Sequence, residues 1–169
     1  MIELPLAVST YDLSLFVHIT AVMVGFGSTF AEAIMFPVAI KSGVRHLPYL
    51  HRLQLAINQW LATPALAIVL ITGIYQTLER FEFDQFWISA ALLIVVVIGA
   101  LNGGYFIPAD RRLGPMVERD IEAAGPGELK LSDLSEEYQR GARLEGIVGS
   151  ITGVLLIAVV YLMVVKPGI

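Results

Sequence analysis

Apolar residues in this chain gather into four long blocks, near residues 13 to 40, 55 to 78, 86 to 107 and 146 to 165, with polar residues mainly between them. Each block is about as long as the ~20 apolar residues a helix needs to cross the ~30 Å hydrocarbon core of a bilayer. Lipid offers no partner to backbone amides and carbonyls, so each block is expected to be a helix. The predicted fold is therefore all-α, a transmembrane four-helix bundle, with spans at about 11–40, 51–79, 84–108 and 134–166 of a single membrane domain covering 1–169.

Punctuation refines these elements. Residues 1–10 lack the basic region of a signal peptide and the apolar run behind them is too long for one, so the first block is expected to remain as a helix. Asp12 suits the N-cap region of that helix, and Pro37 is expected to kink its last turns. Pro64 removes a donor from the second helix, leaves the carbonyl of Trp60 without its usual partner, and predicts a second kink. The connection from Pro108 to about Leu131 is broken by Gly114-Pro115 and by Gly125, Pro126 and Gly127, which leaves one short cytoplasmic surface helix over Met116 to Ala124. Ser132, followed by Glu136 and Glu137, reads as the capped start of the fourth helix, outside the membrane.

Composition agrees with a membrane protein: 56% of residues are hydrophobic, only 15% are charged, and the mean hydropathy is +0.73. The chain has no cysteine, which excludes disulfides, thiolate metal sites and cysteine nucleophiles. A net charge of −4 gives no sign of nucleic-acid binding. The basic residues are unevenly divided, because Lys41, Arg45, Arg52, Arg111, Arg112, Arg119, Lys130, Arg140 and Arg143 lie at one end and only Arg80 and Lys166 at the other. Lys and Arg in short loops are retained on the cytoplasmic side, so the expected location is a bacterial-type plasma membrane with both termini extracytoplasmic. Such a bias argues against a dual-topology protein.

Ionisable or amide side chains inside the blocks are the informative exceptions, because an uncompensated charge at bilayer depth costs roughly 2.5–3.5 kcal/mol on the insertion scale. On the first helix Ser14, His18, Gly25, Ser28, Thr29 and Glu32 fall close to one face, which should look into the bundle. At ~1.5 Å per residue His18 and Glu32 are about 20 Å apart and belong to different depths. The outer layer joins His18 to Thr72, Tyr75 and Gln76. The inner joins Glu32 to Asn58, Gln59, Asn102, Arg143 and Glu145. The stripe Asn58, Ala62, Ala65, Thr72 and Gln76 is expected to face the first helix. Small residues at Gly99, Gly103 and Gly104, and at Ala142, Gly146, Gly149, Ser150 and Gly153, read as helix-packing surfaces. Phe83, Phe86 and Trp87, with Tyr11 and Tyr161, read as an interfacial belt.

Each polar layer has a structural and a functional reading. Glu32 is either a register-setting partner of Asn58, Arg52 or Arg143, or a proton-binding carboxylate whose charge switches during transport or redox work. His18 is either bonded to Thr72, Tyr75 or a backbone carbonyl, or a ligand to haem iron or copper, in which case Met163, Tyr161, a water or another subunit supplies the second ligand. His46 and His51 are assigned to the other end.

The run Leu15-Phe-Val-His18-Ile-Thr-Ala-Val-Met-Val-Gly25-Phe-Gly27, with Leu70-Ile-Thr-Gly73-Ile-Tyr75 on the second helix, resembles a bacterial family of uncharacterised four-helix integral membrane proteins. That family is distantly similar to the membrane domain of copper-resistance protein D and to HemJ-type protoporphyrinogen oxidases. The resemblance implies a histidine-bearing bundle, sometimes linked to haem b or copper, with His18 in the histidine position. Phe26 and Gly27 stand where the oxidase pattern carries a tryptophan and a basic cluster, so that activity is not carried over.

Three functions of different class remain open: a haem- or metal-associated redox protein using His18, a proton-coupled small-solute carrier or channel using Glu32, and a non-catalytic membrane partner or assembly subunit. No catalytic set is legible. Four helices enclose little volume, so a homodimer suits all three readings, with the Gly99 and Gly149 ridges as contact surfaces.

Overall fold

The computed structural model describes residues 8–168; the amino-terminal stretch read above for a signal peptide lies largely outside them. Four helices are long and apolar enough to cross a membrane, and no strand occurs among the described residues. The first, α1 (Thr10–Ser42), is capped by Ser9, whose hydroxyl accepts the Asp12 amide at 3.1 Å while the Asp12 carboxylate accepts the Ser9 amide at 3.3 Å. Asp12 is thus the third-position partner in a capping box rather than the cap itself. Pro37 lies inside α1 without ending it.

The second and third long helices each contain a wide turn just before a proline. After a short turn over Val44–His46, α2 (Leu47–Ile57) leads through a π-helical turn, Asn58–Ala62, into α3 (Thr63–Arg80). Likewise α4 (Phe86–Leu101) leads through a π-helical turn, Asn102–Phe106, into α5 (Ile107–Ala124). In both cases the residue before the proline donates five residues back, Thr63 to the Asn58 carbonyl and Ile107 to the Asn102 carbonyl. The extra residue absorbs the helical offset that a proline ring imposes, and the helix runs on. The chain repeats one spacing here, Asn58 to Thr63-Pro64 and Asn102 to Ile107-Pro108.

The third long helix therefore extends to Ala124, and the surface helix expected over Met116 to Ala124 is its final stretch. Gly114-Pro115 does not break it: Gly114 is buried against α2, Pro115 sits on the exposed face, and water can take the Arg111 carbonyl that proline leaves without a donor. Buried Leu113, Met116 and Val117 recur at helical spacing and pack with Leu47, Leu50 and Tyr138. The fourth long helix, α6 (Glu136–Val165), is capped by Ser135 rather than Ser132. Ser135 also donates from its amide and hydroxyl to Asp120, at 3.0 and 2.6 Å, which ties the start of α6 to α5.

The principal helix contacts are α1 on α3, α2 on α5 and α4 on α6. At about 1.5 Å per residue, the 37-residue Val44–Arg80 and 39-residue Phe86–Ala124 helices exceed a ~30 Å bilayer core, so one end of the bundle projects as a headpiece with its own core. Arg45 belongs to that end, donating to the Gly125 and Gly127 carbonyls. The opposite end gathers the remaining basic residues, with Arg80 3.8 Å from the Tyr11 ring centroid and Lys166 over Phe81 and Trp87.

Two expectations about packing change. Trp87 is only 4% exposed and stacks edge-on against Phe81, so it is core rather than belt, whereas Phe86 and Tyr161 are exposed. A side-chain carbon added at Gly99, Gly103, Gly104, Gly146 or Gly149 would meet nothing within 4 Å, so these are not close contacts within the chain. The tight glycines are Gly25, where that carbon would lie 3.0 Å from Ala65, and Gly141, where it would lie 2.5 Å from Leu113. Leu113 is fully buried within the headpiece core, so a shift of its side chain disturbs the residues packed on it. Gly141→Ala is accordingly expected to destabilise the fold by about 1–3 kcal/mol, while Gly103→Ala is neutral or gains up to ~1 kcal/mol of helix propensity. Thermal unfolding of both variants in detergent checks the ordering, and equal melting temperatures would contradict the packing described.

Candidate functional site

The bundle contains a cavity of about 510 Å³ to which all four long helices contribute. Glu32, Thr29 and Pro37 line it from α1, Gln54 and Asn58 from the second long helix, Asn102 from the third, and Glu145, Ser150 and Thr152 from α6. Gly146, Gly149 and Gly153 also line it, which explains their open surroundings: they leave room for a cavity instead of admitting a neighbouring helix.

The polar lining divides into groups that have partners and groups that do not. The Asn102 amide donates to Thr63 Oγ1 at 2.9 Å and to the Asn58 carbonyl at 3.4 Å, and Thr63 Oγ1 donates to the same carbonyl at 2.7 Å. Glu32 Oε1 and Gln54 Oε1, by contrast, are buried without a hydrogen-bond partner among the described residues. The partners expected for Glu32 are engaged or distant: Arg52 pairs with Glu118 at 2.8 Å, Arg143 is exposed, and the Asn58 amide donates to Asp110. Gln59 is half-buried and does not line the cavity. The structure thus brings Glu32, Asn58, Asn102 and Glu145 to one cavity and leaves Gln59 and Arg143 outside it.

Beside this cavity, in the headpiece, lies a network that sequence reasoning missed. His51 Nδ1 is 3.0 Å from Asp110 Oδ1, both side chains being fully buried, and His51 Nε2 is 3.0 Å from the Tyr138 hydroxyl. Asp110 accepts, so the Nδ1–H donates to it and Nε2 accepts from Tyr138. The other Asp110 oxygen accepts the Asn58 amide at 3.4 Å. Gly114 permits the approach, since a side-chain carbon there would sit 3.4 Å from His51 Cβ. The legible signal was His51, Gln54 and Asn58 at helical spacing on one face; assigning Asp110 to a loop hid its partner.

His18 belongs to a separate site toward the other end. Its Nδ1 lies 2.8 Å from Thr72 Oγ1, whose own hydroxyl donates to the Ile68 carbonyl, so the imidazole N–H is the donor between them. Tyr75, one turn further on, is half-buried. Gln76 reaches Ser14 at 3.4 Å. The void beside His18, lined also by Gly73 and Met163, is about 40 Å³. That is room for roughly one or two waters.

Residues 12–167 match the family described as predicted integral membrane protein (DUF2269). The chain belongs to that family. Comparison of this DUF2269 chain with curated proteins and with solved structures finds no match. The family and the four apolar helices together make it an integral membrane protein.

The buried network gives a direct stability test in the DUF2269 chain. Tyr138→Phe removes the side-chain partner that His51 Nε2 has among the described residues and is expected to destabilise the headpiece by about 1–3 kcal/mol, the range for a buried polar group left without its bond. Thermal unfolding in detergent measures it, and a melting temperature equal to the unsubstituted protein would count against the bond.

Proposed function

We propose that the chain is a proton-coupled carrier or channel for a small cationic solute, with Glu32 as the carboxylate that exchanges a proton for the solute. The observation that carries this reading is the cavity of about 510 Å³, lined by two carboxylates and three carboxamides, in which Glu32 Oε1 has no hydrogen-bond partner among the described residues. A carboxylate held in an apolar bundle without a counter-charge favours either its proton or a bound cation, and alternation between the two is the elementary step of coupled exchange. The Tyr138–His51–Asp110 chain of hydrogen bonds supports a route by which protons reach the cavity from the basic end. With the positive-inside rule, that end faces the cytoplasm of a bacterial-type plasma membrane and both termini face outward.

The haem- or copper-linked reading of His18, with its likeness to copper-resistance protein D and HemJ-type proteins, draws less support. A void of about 40 Å³ between His18 and Met163 has no room for a porphyrin unless the helices separate or a second subunit contributes. The partner or assembly reading has no observation of its own.

The test is flux in proteoliposomes carrying a trapped pH dye, with the membrane potential clamped and tetraethylammonium and choline as probes. Addition of a probe is expected to move protons in the unsubstituted protein, and Glu32→Gln to slow this at least tenfold without changing the elution volume in detergent. Probe-independent traces identical to empty vesicles, or a Glu32→Gln chain as active as the original, would sink the carrier reading and leave the partner role in its place.

A further inference from the structure

We infer that His51, Asp110 and Glu145 form a site for a divalent first-row transition cation at the headpiece end of the cavity. One ligand atom from each lies within 4.8 Å of the others, and the three arrive from different helices, α2, α5 and α6. The 3.0 Å between His51 Nδ1 and Asp110 Oδ1 is the spacing of two adjacent ligands at right angles around an ion with ~2.1 Å bonds. Ligands on opposite sides of such an ion are about 4.2 Å apart, and Glu145, half-buried at the cavity wall, has its carboxylate within 4.8 Å of both partners.

The donor set selects the ion. One imidazole nitrogen with two carboxylate oxygens suits Mn²⁺, Fe²⁺, Co²⁺ or Zn²⁺; the absence of sulfur donors disfavours Cu⁺, and the nitrogen disfavours Mg²⁺ and Ca²⁺, which take oxygen. Two carboxylates also neutralise a dication, which a buried location requires. When the ion takes the Nδ1 lone pair, the imidazole carries its single proton on Nε2, and that N–H donates to the Tyr138 hydroxyl oxygen at the 3.0 Å already present. Tyr138 is therefore a positioning residue: it holds the ring and its tautomer without touching the ion.

An independent observation points to a ligand at this place. Gln54 lies one turn after His51 on α2, is 9% exposed, and presents an Oε1 with no partner among the residues that wall the cavity. Asn58 holds the far oxygen of Asp110 and lines the same cavity as Gln54 and Glu145, which joins the buried pair to the cavity wall through one hydrogen bond.

This inference does not rest on the carrier reading, because binding is measured without a gradient. The experiment titrates the full chain in detergent with Co²⁺, following its visible absorption, and then displaces it with Zn²⁺. One Co²⁺ per chain is expected, with affinity lowered at least tenfold in Asp110→Asn and in Glu145→Gln, about tenfold in Tyr138→Phe, and unchanged within about twofold in Glu136→Gln, an exposed carboxylate paired with Arg140. Glu145→Gln lies at the cavity wall and keeps the volume of the side chain, so it reports on the site even if the buried variants fold poorly. No saturable absorption, full affinity in Glu145→Gln, or equal loss in Glu136→Gln would overturn the assignment.

Discussion

The architecture depends on how two helices cross the bilayer although each carries a proline far from its start. Pro64 and Pro108 supply no N–H, and in lipid a carbonyl deprived of its donor has no water to turn to. The wide turns at Asn58–Ala62 and Asn102–Phe106 answer this with one extra residue each, and the Asn58 carbonyl becomes a hub that accepts from the Thr63 amide, the Thr63 hydroxyl and the Asn102 side chain. The two turns thus lean on each other. Helices two and three are joined at mid-length by hydrogen bonds that also close their own backbone gaps.

That junction separates two environments. On one side α3 and α4 pack against α1 and α6 as ordinary apolar spans, with His18 and Thr72 forming a small closed pair. On the other, α2 and α5 continue with the start of α6 and the end of α1 around a soluble-style core, and the polar cavity opens where the spans give way to this extension. Asn58 belongs to both structures, its carbonyl to the junction and its side chain to Asp110. The site is therefore coupled to the feature that lets the chain cross the membrane at all.

Four helices, their end-to-end order and the inward face carrying Glu32 were legible in the sequence, because apolar length and helical period are local properties. The site was only half legible. Glu32, Asn58 and Asn102 stood out as polar residues within apolar blocks and Glu145 at the edge of one, whereas His51, Asp110 and Tyr138 lie where the blocks become polar and are ordinary there until the fold buries them. Proline and glycine at Pro108, Gly114 and Pro115 read as punctuation, although Leu113, Val117 and Ile121 kept helical spacing through them. Local breaking signals lost to tertiary packing of the apolar stripe. Gly146 and Gly149 of α6 take no neighbouring helix within the chain for a related reason: a small residue says that something approaches the backbone, and does not say whether that is a helix or an open cavity.

A cavity walled by polar groups is a poor way to build a stable bundle. Each buried polar atom without a partner costs about 1–3 kcal/mol relative to its bonded state, and apolar replacements of similar shape avoid that loss. Gln85 Oε1 and Trp87 Nε1 are left open away from the cavity, but beside it such groups are met: Thr63, Asn58 and Asn102 bond one another, and His51 uses both ring nitrogens. Glu32 and Gln54 stand open a short distance away, facing the same cavity. Folding alone has no use for that difference, since a leucine at either place would pack and cost nothing in unmet bonds. A species that enters from outside the chain, bringing positive charge or hydrogen-bond donors with it, supplies what the protein withholds.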